Sequence, residues 1–499
     1  MLNIVRLEDA GQGLFLVGDD VDGFAVQLFF ELVEAGQQRY PCRFGPGGVM
    51  KKVLILGAGA VARPAVGYLL EKEGVAVVVA DQDPAKAEAV VAGHPKGRGV
   101  ALDAADTTAL DRAVAAADIV VSLLPFTLHP VVAKMCLARA KHLVTASYVK
   151  EEMQALDRQA RDKGLIFLNE VGVDPGLDHM SAMQIIDAVR AEGGRIDSFF
   201  SYCGGLPALE SNNNPLGYKF SWSPEGAMMA ATNDGRYMEH GKIYEVPGGD
   251  LFKHYWLKSV PGAGVFEAYV NRDALPYRKI YGIEDAAGIY RGTLRNVGYC
   301  ETWDFIKQLG LLNRKMKFDF DEVTPREVLA NIVNCPGADV RAAVAAYLNI
   351  PEHALTLKKL EWLGLLSDRK LPIGTASVFE MFSYTLKHRL VYDEGEMDLL
   401  VMHHEFEAIY PGLPRQRIQS TLIDRGDPEG DSSMSRTVGY PVGIAAGLVA
   451  EDRIDQTGVL RPVSPEIYKP VLAECEGLGI HFKECRSDLD TDEPSCWGD

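Results

Sequence analysis

Gly57-Ala58-Gly59-Ala60-Val61-Ala62 closes a continuous apolar run at residues 53–56 and opens a helical stretch at 62–70. Glycines at this spacing between a strand and a helix suit a dinucleotide. Gly57 permits the tight turn, Gly59 lets the backbone approach a pyrophosphate, and Ala62 is small enough for the helix to pack on the sheet. Ala60 and Val61 lie in the turn, where the helix N-terminus offers unpaired N–H groups to phosphate. Asp81 ends the next apolar run, where a carboxylate can accept the two hydroxyls of an adenosine ribose. Gln82 and Asp83 follow it, and Asp83 also suits the N-cap of a helix beginning at Pro84. Asp103, after the third strand, reads equally as an adenine-side contact or a turn residue. Leu123 and Leu124 end the fourth strand, where a wall for the nicotinamide half is expected. The expected cofactor is NAD, with NADP as the alternative. Asp81 would repel a 2′-phosphate, and no Lys or Arg lies between Glu73 and Pro84 to receive one.

Other segments are too residue-specific for scaffold alone. They include Thr145-Ala146-Ser147-Tyr148, Asn169-Glu170-Val171-Gly172-Val173-Asp174-Pro175-Gly176-Leu177-Asp178-His179, and Ser201-Tyr202-Cys203-Gly204-Gly205-Leu206-Pro207. Asn214-Pro215-Leu216-Gly217-Tyr218-Lys219-Phe220-Ser221-Trp222-Ser223, Asn271-Arg272-Asp273, Arg291-Gly292-Thr293-Leu294-Arg295 and Thr437-Val438-Gly439-Tyr440-Pro441-Val442 complete the set. With the fingerprint, the set resembles the L-glutamate-forming saccharopine dehydrogenase (saccharopine reductase) family over about residues 51–486. The resemblance implies interconversion of saccharopine with L-glutamate and 2-aminoadipate 6-semialdehyde, by nicotinamide hydride transfer through an imine. It implies substrate contacts from Ser147, Tyr148, Asp174, Pro175, Gly176, Arg272, Thr293, Leu294 and Arg295. The two arginines suit a substrate with several carboxylates, because a guanidinium grips a carboxylate through parallel hydrogen bonds. It also implies a homodimer. The Ala80-Asp81-Gln82-Asp83 segment departs from the Arg-containing segment of relatives that use NADP.

Imine chemistry needs a proton acceptor for the secondary amine and a proton shuttle for hydrolysis. Asp174, Tyr148 and Cys203 match positions that the family places by the substrate. Asp174 also suits a turn before Pro175-Gly176, Tyr148 a packed aromatic, and Cys203 a buried inert thiol. A carboxynorspermidine-synthase-like reductive condensation remains an alternative, as does an inactive dinucleotide-binding module. His403-His404-Glu405 is no metal site, since strand neighbours face opposite ways; a partly exposed strand is expected there. His129 lines the nicotinamide pocket or caps a helix, and the residues alone leave both open.

The elements that must position these residues are an α/β alternation. Apolar runs near 53–56, 75–80, 100–102, 119–124, 143–145 and 166–168, separated by helical stretches, predict a Rossmann-type parallel sheet over residues 50–172. A mixed α+β substrate and dimerisation domain is expected over 173–435, with a helical insert about 325–395. Residues 436–499 are expected to return to the first domain. Residues 1–49 read as a disordered extension, with Met50 as the natural start. The chain has 499 residues, 47% hydrophobic and 24% charged, with a formal net charge of −18. No apolar run approaches the roughly 18 residues of a membrane span, and the negative charge disfavours nucleic acid. Eight scattered cysteines suggest reduced thiols and a cytoplasmic location, with a small-molecule amino-acid substrate as the partner.

Overall fold

Strand Lys51–Leu56 is an inner strand of a seven-stranded, wholly parallel sheet. Its order is Gly458–Leu460, Ile166–Leu168, His142–Val144, Ile119–Ser122, Lys51–Leu56, Val75–Asp81 and Gly97–Ala101. The computed structural model describes residues 43–44, 48–337 and 339–489. The expectation for residues 1–49 falls almost wholly outside them; Arg43–Phe44 pairs antiparallel with Gly48–Val49. The sheet has helices on both faces, so its inner strands are apolar without alternation. Leu54, Leu56, Val78, Val120 and Phe167 share one buried cluster. Helix Ala62–Glu71 follows the fingerprint and packs on helix Ser433–Ala450 through glycines. A Cβ on Gly439 would lie 2.7 Å from the Val61 carbonyl oxygen, and one on Gly443 3.0 Å from Ala65 Cα.

The second sheet has nine strands and mixed directions. Arg195–Pro207 runs parallel to Gly288–Arg295 and antiparallel to Asp398–Ile409. Asp398–Ile409 pairs antiparallel with Gln416–Arg425, as expected, and the hairpin Tyr255–Val260/Gly264–Val270 joins Gly288–Arg295. The insert holds helices Pro325–Ile332, Val340–Tyr347, Leu355–Trp362 and Val378–Arg389. Capping boxes start two of them, Thr324 with Glu327 and Ser377 with Glu380.

Chain contacts divide the protein into two compact units. One is Met1–Ile185 with Ser435–His481, and the other is Ile186–Met434 with Phe482–Asp499. Three readings need correction. Strand Lys483–Asp488 pairs with Gln416–Arg425 in the mixed sheet, so the end of the described chain does not stay with the parallel sheet. His403 and His404 are both fully buried, not partly exposed. They do face opposite ways: His403 stacks near Tyr202 and bonds Thr421, while His404 packs on Phe199. The expectation of reduced thiols also fails at one position: Cys485 is disulfide-bonded, whereas Cys136, Cys203, Cys300, Cys335 and Cys475 are free thiols. No helix among the described residues is long and apolar enough to cross a membrane.

Candidate active site

The strand order reverses between Lys51–Leu56 and Ile119–Ser122, where open parallel sheets bind ligands beyond their carboxyl ends. Gly57 occupies that point. Its φ of +101° favours glycine, and a Cβ there would lie 3.2 Å from the Leu123 carbonyl oxygen. Its N–H donates to the Ala80 carbonyl at 2.8 Å. Gly59 is open instead: no atom lies within 4 Å of the place a Cβ would take. After Ala60, the N-cap residue Val61 makes no side-chain cap bond. An open glycine beside an uncapped helix N-terminus fits a pyrophosphate, whose oxygens supply the missing acceptors.

The ribose end is firmly built. Asp81 accepts the Ala58 N–H on Oδ2 at 2.8 Å and the Asp83 N–H on Oδ1 at 3.0 Å. Asp83 caps helix Pro84–Val91 through the Ala85 N–H at 3.0 Å. Gln82 Nε2 donates to Asp103 Oδ1 at 2.8 Å, and Asp103 also accepts the Ala105 N–H. These bonds, Ala105 first, hold the Asp103 carboxyl below its usual range. The Leu123 N–H donates to the Leu56 carbonyl, and Leu124 packs against the core, so both expected wall residues follow a strand at the switch point. Bound there, a nicotinamide dinucleotide supplies a two-electron hydride acceptor or donor.

On the same unit, the Tyr148 hydroxyl donates to Asp174 Oδ1 at 3.0 Å. The Asp174–Pro175 peptide is cis, and Gly176 has φ +152°, with Gly172 backbone filling the space a Cβ would need. Beneath this turn lies a buried network that the sequence reading missed. Glu170, 1% exposed, accepts the Val149 N–H and the Arg461 Nε–H on Oε1, each at 2.9 Å. Its Oε2 lies 2.9 Å from His179 Nε2, and Asp178 Oδ1 accepts the Gly176 N–H at 2.6 Å. Burial pushes the Glu170 carboxyl up, but the His179 bond and charge, Arg461 and the Val149 N–H outweigh it and bring it to about 2. One carboxylate therefore anchors the segment of Tyr148 and, through His179 and Asp178, the turn of Asp174. Ser147 is half-buried and bonded to His129.

The second unit holds the other expected substrate residues. Cys203 and Thr293 are Cα partners near the ends of two parallel strands. Cys203 is buried, Thr293 half-buried and Leu294 buried. Two positions beyond Thr293, Arg295 is only 7% exposed, with its guanidinium carbon 5.0 Å from the Tyr218 ring centroid and 5.3 Å from that of Tyr299. Its Nη1 donates to the Leu294 carbonyl, but among the described residues its Nε has no acceptor and its guanidinium makes no ion pair. Glu267, its register partner, turns away to accept the Gly298 and Cys300 N–H groups at 2.7 Å each. That bond fixes the start of helix Tyr299–Gln308 and so the Tyr299 ring. Arg272 is not brought to this cage. Val270 pairs with Gly292, so Arg272 lies towards the opposite end of the hairpin, exposed, at φ +60°. Five register positions separate it from Arg295, about 16 Å along a strand.

Tyr218 belongs to a quoted motif, although the motif alone gives it no role. Tyr299, Glu267 and Arg461 carry no local signal, because each acts through a partner distant in sequence.

A dinucleotide cradle with a paired hydroxyl and carboxylate on one unit, and a caged arginine on the other, defines a nicotinamide-dependent oxidoreductase. Residues 53–168 match the family model described as saccharopine dehydrogenase NADP binding domain, and residues 172–480 match saccharopine dehydrogenase C-terminal domain. The chain is 38% identical over 449 residues to saccharopine dehydrogenase [NADP(+), L-glutamate-forming] of Pyricularia oryzae, covering 87% of this chain and 98% of that protein. It is 36% identical to α-aminoadipic semialdehyde synthase of Bos taurus, covering 87% of this chain and 48% of that longer protein. Apo saccharopine dehydrogenase (L-Glu forming) of Saccharomyces cerevisiae superposes with a TM-score of 0.79 at 34% identity, covering 88% of this chain and all of that one. The chain belongs to the saccharopine dehydrogenase family.

Proposed function

We propose that the chain interconverts saccharopine and water with L-glutamate and 2-aminoadipate 6-semialdehyde. Oxidation takes a hydride from the aminoadipate-arm carbon that bears the secondary amine and a proton from the nitrogen. Water adds to the resulting C=N bond, and the carbinolamine collapses to the glutamate amine and the aldehyde. Asp174 and Tyr148, already hydrogen-bonded, take up and return these protons. Cys203 and Thr293 line the substrate, and Arg295 binds one of its carboxylates.

Arg295 carries this reading. A buried guanidinium without a carboxylate partner is costly unless an anion completes it, and the Tyr218 and Tyr299 rings hold this one in place. A polyamine arm, cationic at neutral pH, would repel it rather than complete it. Supplying saccharopine or carboxynorspermidine with cofactor and following the reduced nicotinamide tests the assignment. Turnover of carboxynorspermidine alone would replace it.

The matching nucleotide-binding family and the fungal relatives are named for NADP, which weighs towards the phosphorylated cofactor. The residues at the ribose end of this chain weigh the other way, and we propose a preference for NAD. Asp81 is held in place by two backbone N–H groups, so it cannot easily swing away from a 2′-phosphate. A homodimer and a cytoplasmic location complete the reading. Exposed Leu257, Val265 and Ile423 on the mixed sheet are apolar side chains that a second copy would cover. Light scattering reads the oligomeric state.

A further inference from the structure

His129 begins helix His129–Arg139, just beyond strand Ile119–Ser122, and is 4% exposed. Both ring nitrogens are engaged. Nδ1 lies 2.9 Å from Ser122 Oγ, and Nε2 lies 2.8 Å from Ser147 Oγ. Thr145 Oγ1 is a longer 3.3 Å from Nε2 and accepts the Ser147 N–H at 3.4 Å. Ser122 ends one strand of the parallel sheet, and Thr145 and Ser147 follow its neighbour, so the ring ties two adjacent strand ends together. These are the strand ends at which such a sheet presents its ligand.

A buried histidine with both nitrogens satisfied is ordinarily a packing residue. What separates this one is its third partner in line. The Ser147 hydroxyl is half-buried, and His129 is its sole side-chain partner among the described residues. A serine hydroxyl has three hydrogen-bonding valences and three staggered rotamers. His129 uses one valence, selects one rotamer, and leaves the others directed away from the ring.

We propose that His129 is a positioning residue for the reaction: it aims the Ser147 hydroxyl at a polar group of the amino-acid substrate, with Ser122 fixing the ring from the buried side. The inference rests on the reading that Ser147 touches the substrate. The ring is suited to it. Burial, with the Lys150 ammonium adding to it, brings His129 down to about 4, so at neutral pH one nitrogen donates and the other accepts. The hydrogen bond between Nδ1 and Ser122 then sets whether Nε2 meets Ser147 as donor or acceptor. A protonated ring would donate at both ends and lose that information.

A double-mutant cycle on the full chain tests it. Ser147→Ala and His129→Asn are each expected to lower kcat/KM for saccharopine about tenfold, with the dissociation constant for the dinucleotide changed less than about two-fold. The double variant is expected to be no worse than the more damaged single one. Ser122→Ala, which leaves the imidazole in place, is expected to give a smaller loss that disappears in the Ser147→Ala background. It keeps the test open if His129→Asn folds poorly. Losses that multiply would overturn the proposal while leaving Ser147 at the substrate. A Ser147→Ala variant with unchanged kcat/KM would remove Ser147 from the substrate and the proposal with it.

Discussion

In the proposed reading, the guanidinium of Arg295 and the carboxylate of Asp81 decide what this protein accepts, each by a charge held in place before any ligand arrives. Arg295 cannot leave its tyrosine cage, so its unsatisfied Nε asks for an anion at one place. Arg295→Ala is expected to raise KM for saccharopine about ten- to a hundred-fold, the worth of one charge-assisted bond, with dinucleotide affinity unchanged. Steady-state kinetics beside a cofactor titration checks it. Asp81 acts by repulsion. A unit pair at about 4 Å and intermediate dielectric is worth about 4 kcal/mol before screening, and counterions remove much of it. The expected outcome is a kcat/KM for NAD one to two decades above that for NADP, or about 1.5–3 kcal/mol. Asp81→Asn should narrow that ratio about tenfold. An equal or higher kcat/KM with NADP would mean that a cation from elsewhere, such as Arg63, receives the phosphate.

At the scale of elements, what the sequence disclosed depended on whether a signal was local. The runs at 75–80 and 119–121 are apolar without interruption, and both lie in inner strands of the sheet. Gly458–Leu460 is three residues long, and Lys483–Asp488 is almost wholly polar; both are strands only because a distant partner pairs with them. The site divides in the same way. Gly57, Gly59 and Asp81 follow from spacing, and Cys203 and Thr293 prove to be register partners. The anchoring of Tyr148 and Asp174 by Glu170, His179 and Arg461 spans 291 residues at its longest bond and leaves no pattern in the sequence. Packing of the fingerprint helix gives an element-scale prediction. A methyl on Gly439 meets the Val61 carbonyl at 2.7 Å, whereas one on Gly447 meets Tyr68 at an ordinary 3.4 Å. Gly439→Ala is expected to cost about 1–3 kcal/mol by overpacking and to weaken dinucleotide binding. Gly447→Ala should change neither. Thermal melts with and without cofactor separate the two.

Both units of the molecule bury charged groups, and two of those in the nucleotide unit should show in its acid stability. His129 falls from an ordinary 6.5 to about 4 in the folded chain. The unfolded state therefore binds the proton more readily. Stability is fully present above about 6.5 and is lost as pH falls towards 4. Glu170, lowered to about 2 from 4.5, adds a second loss below about 4.5. The expected outcome is a melting temperature that declines from pH 7 to pH 5 and less steeply in His129→Leu, read by calorimetry over about that range. An identical slope in the variant would mean that the ring is accessible to protons in the folded state.

Saccharopine has two C–N bonds at its secondary amine, and the reaction proposed here breaks one of them. Incubating the protein with saccharopine and NAD, then quantifying products by mass spectrometry, tests this most directly. The account predicts glutamate and 2-aminoadipate 6-semialdehyde in equal amounts, each matching the reduced nicotinamide formed. Lysine and 2-oxoglutarate in their place, from oxidation on the other side of the nitrogen, would contradict it.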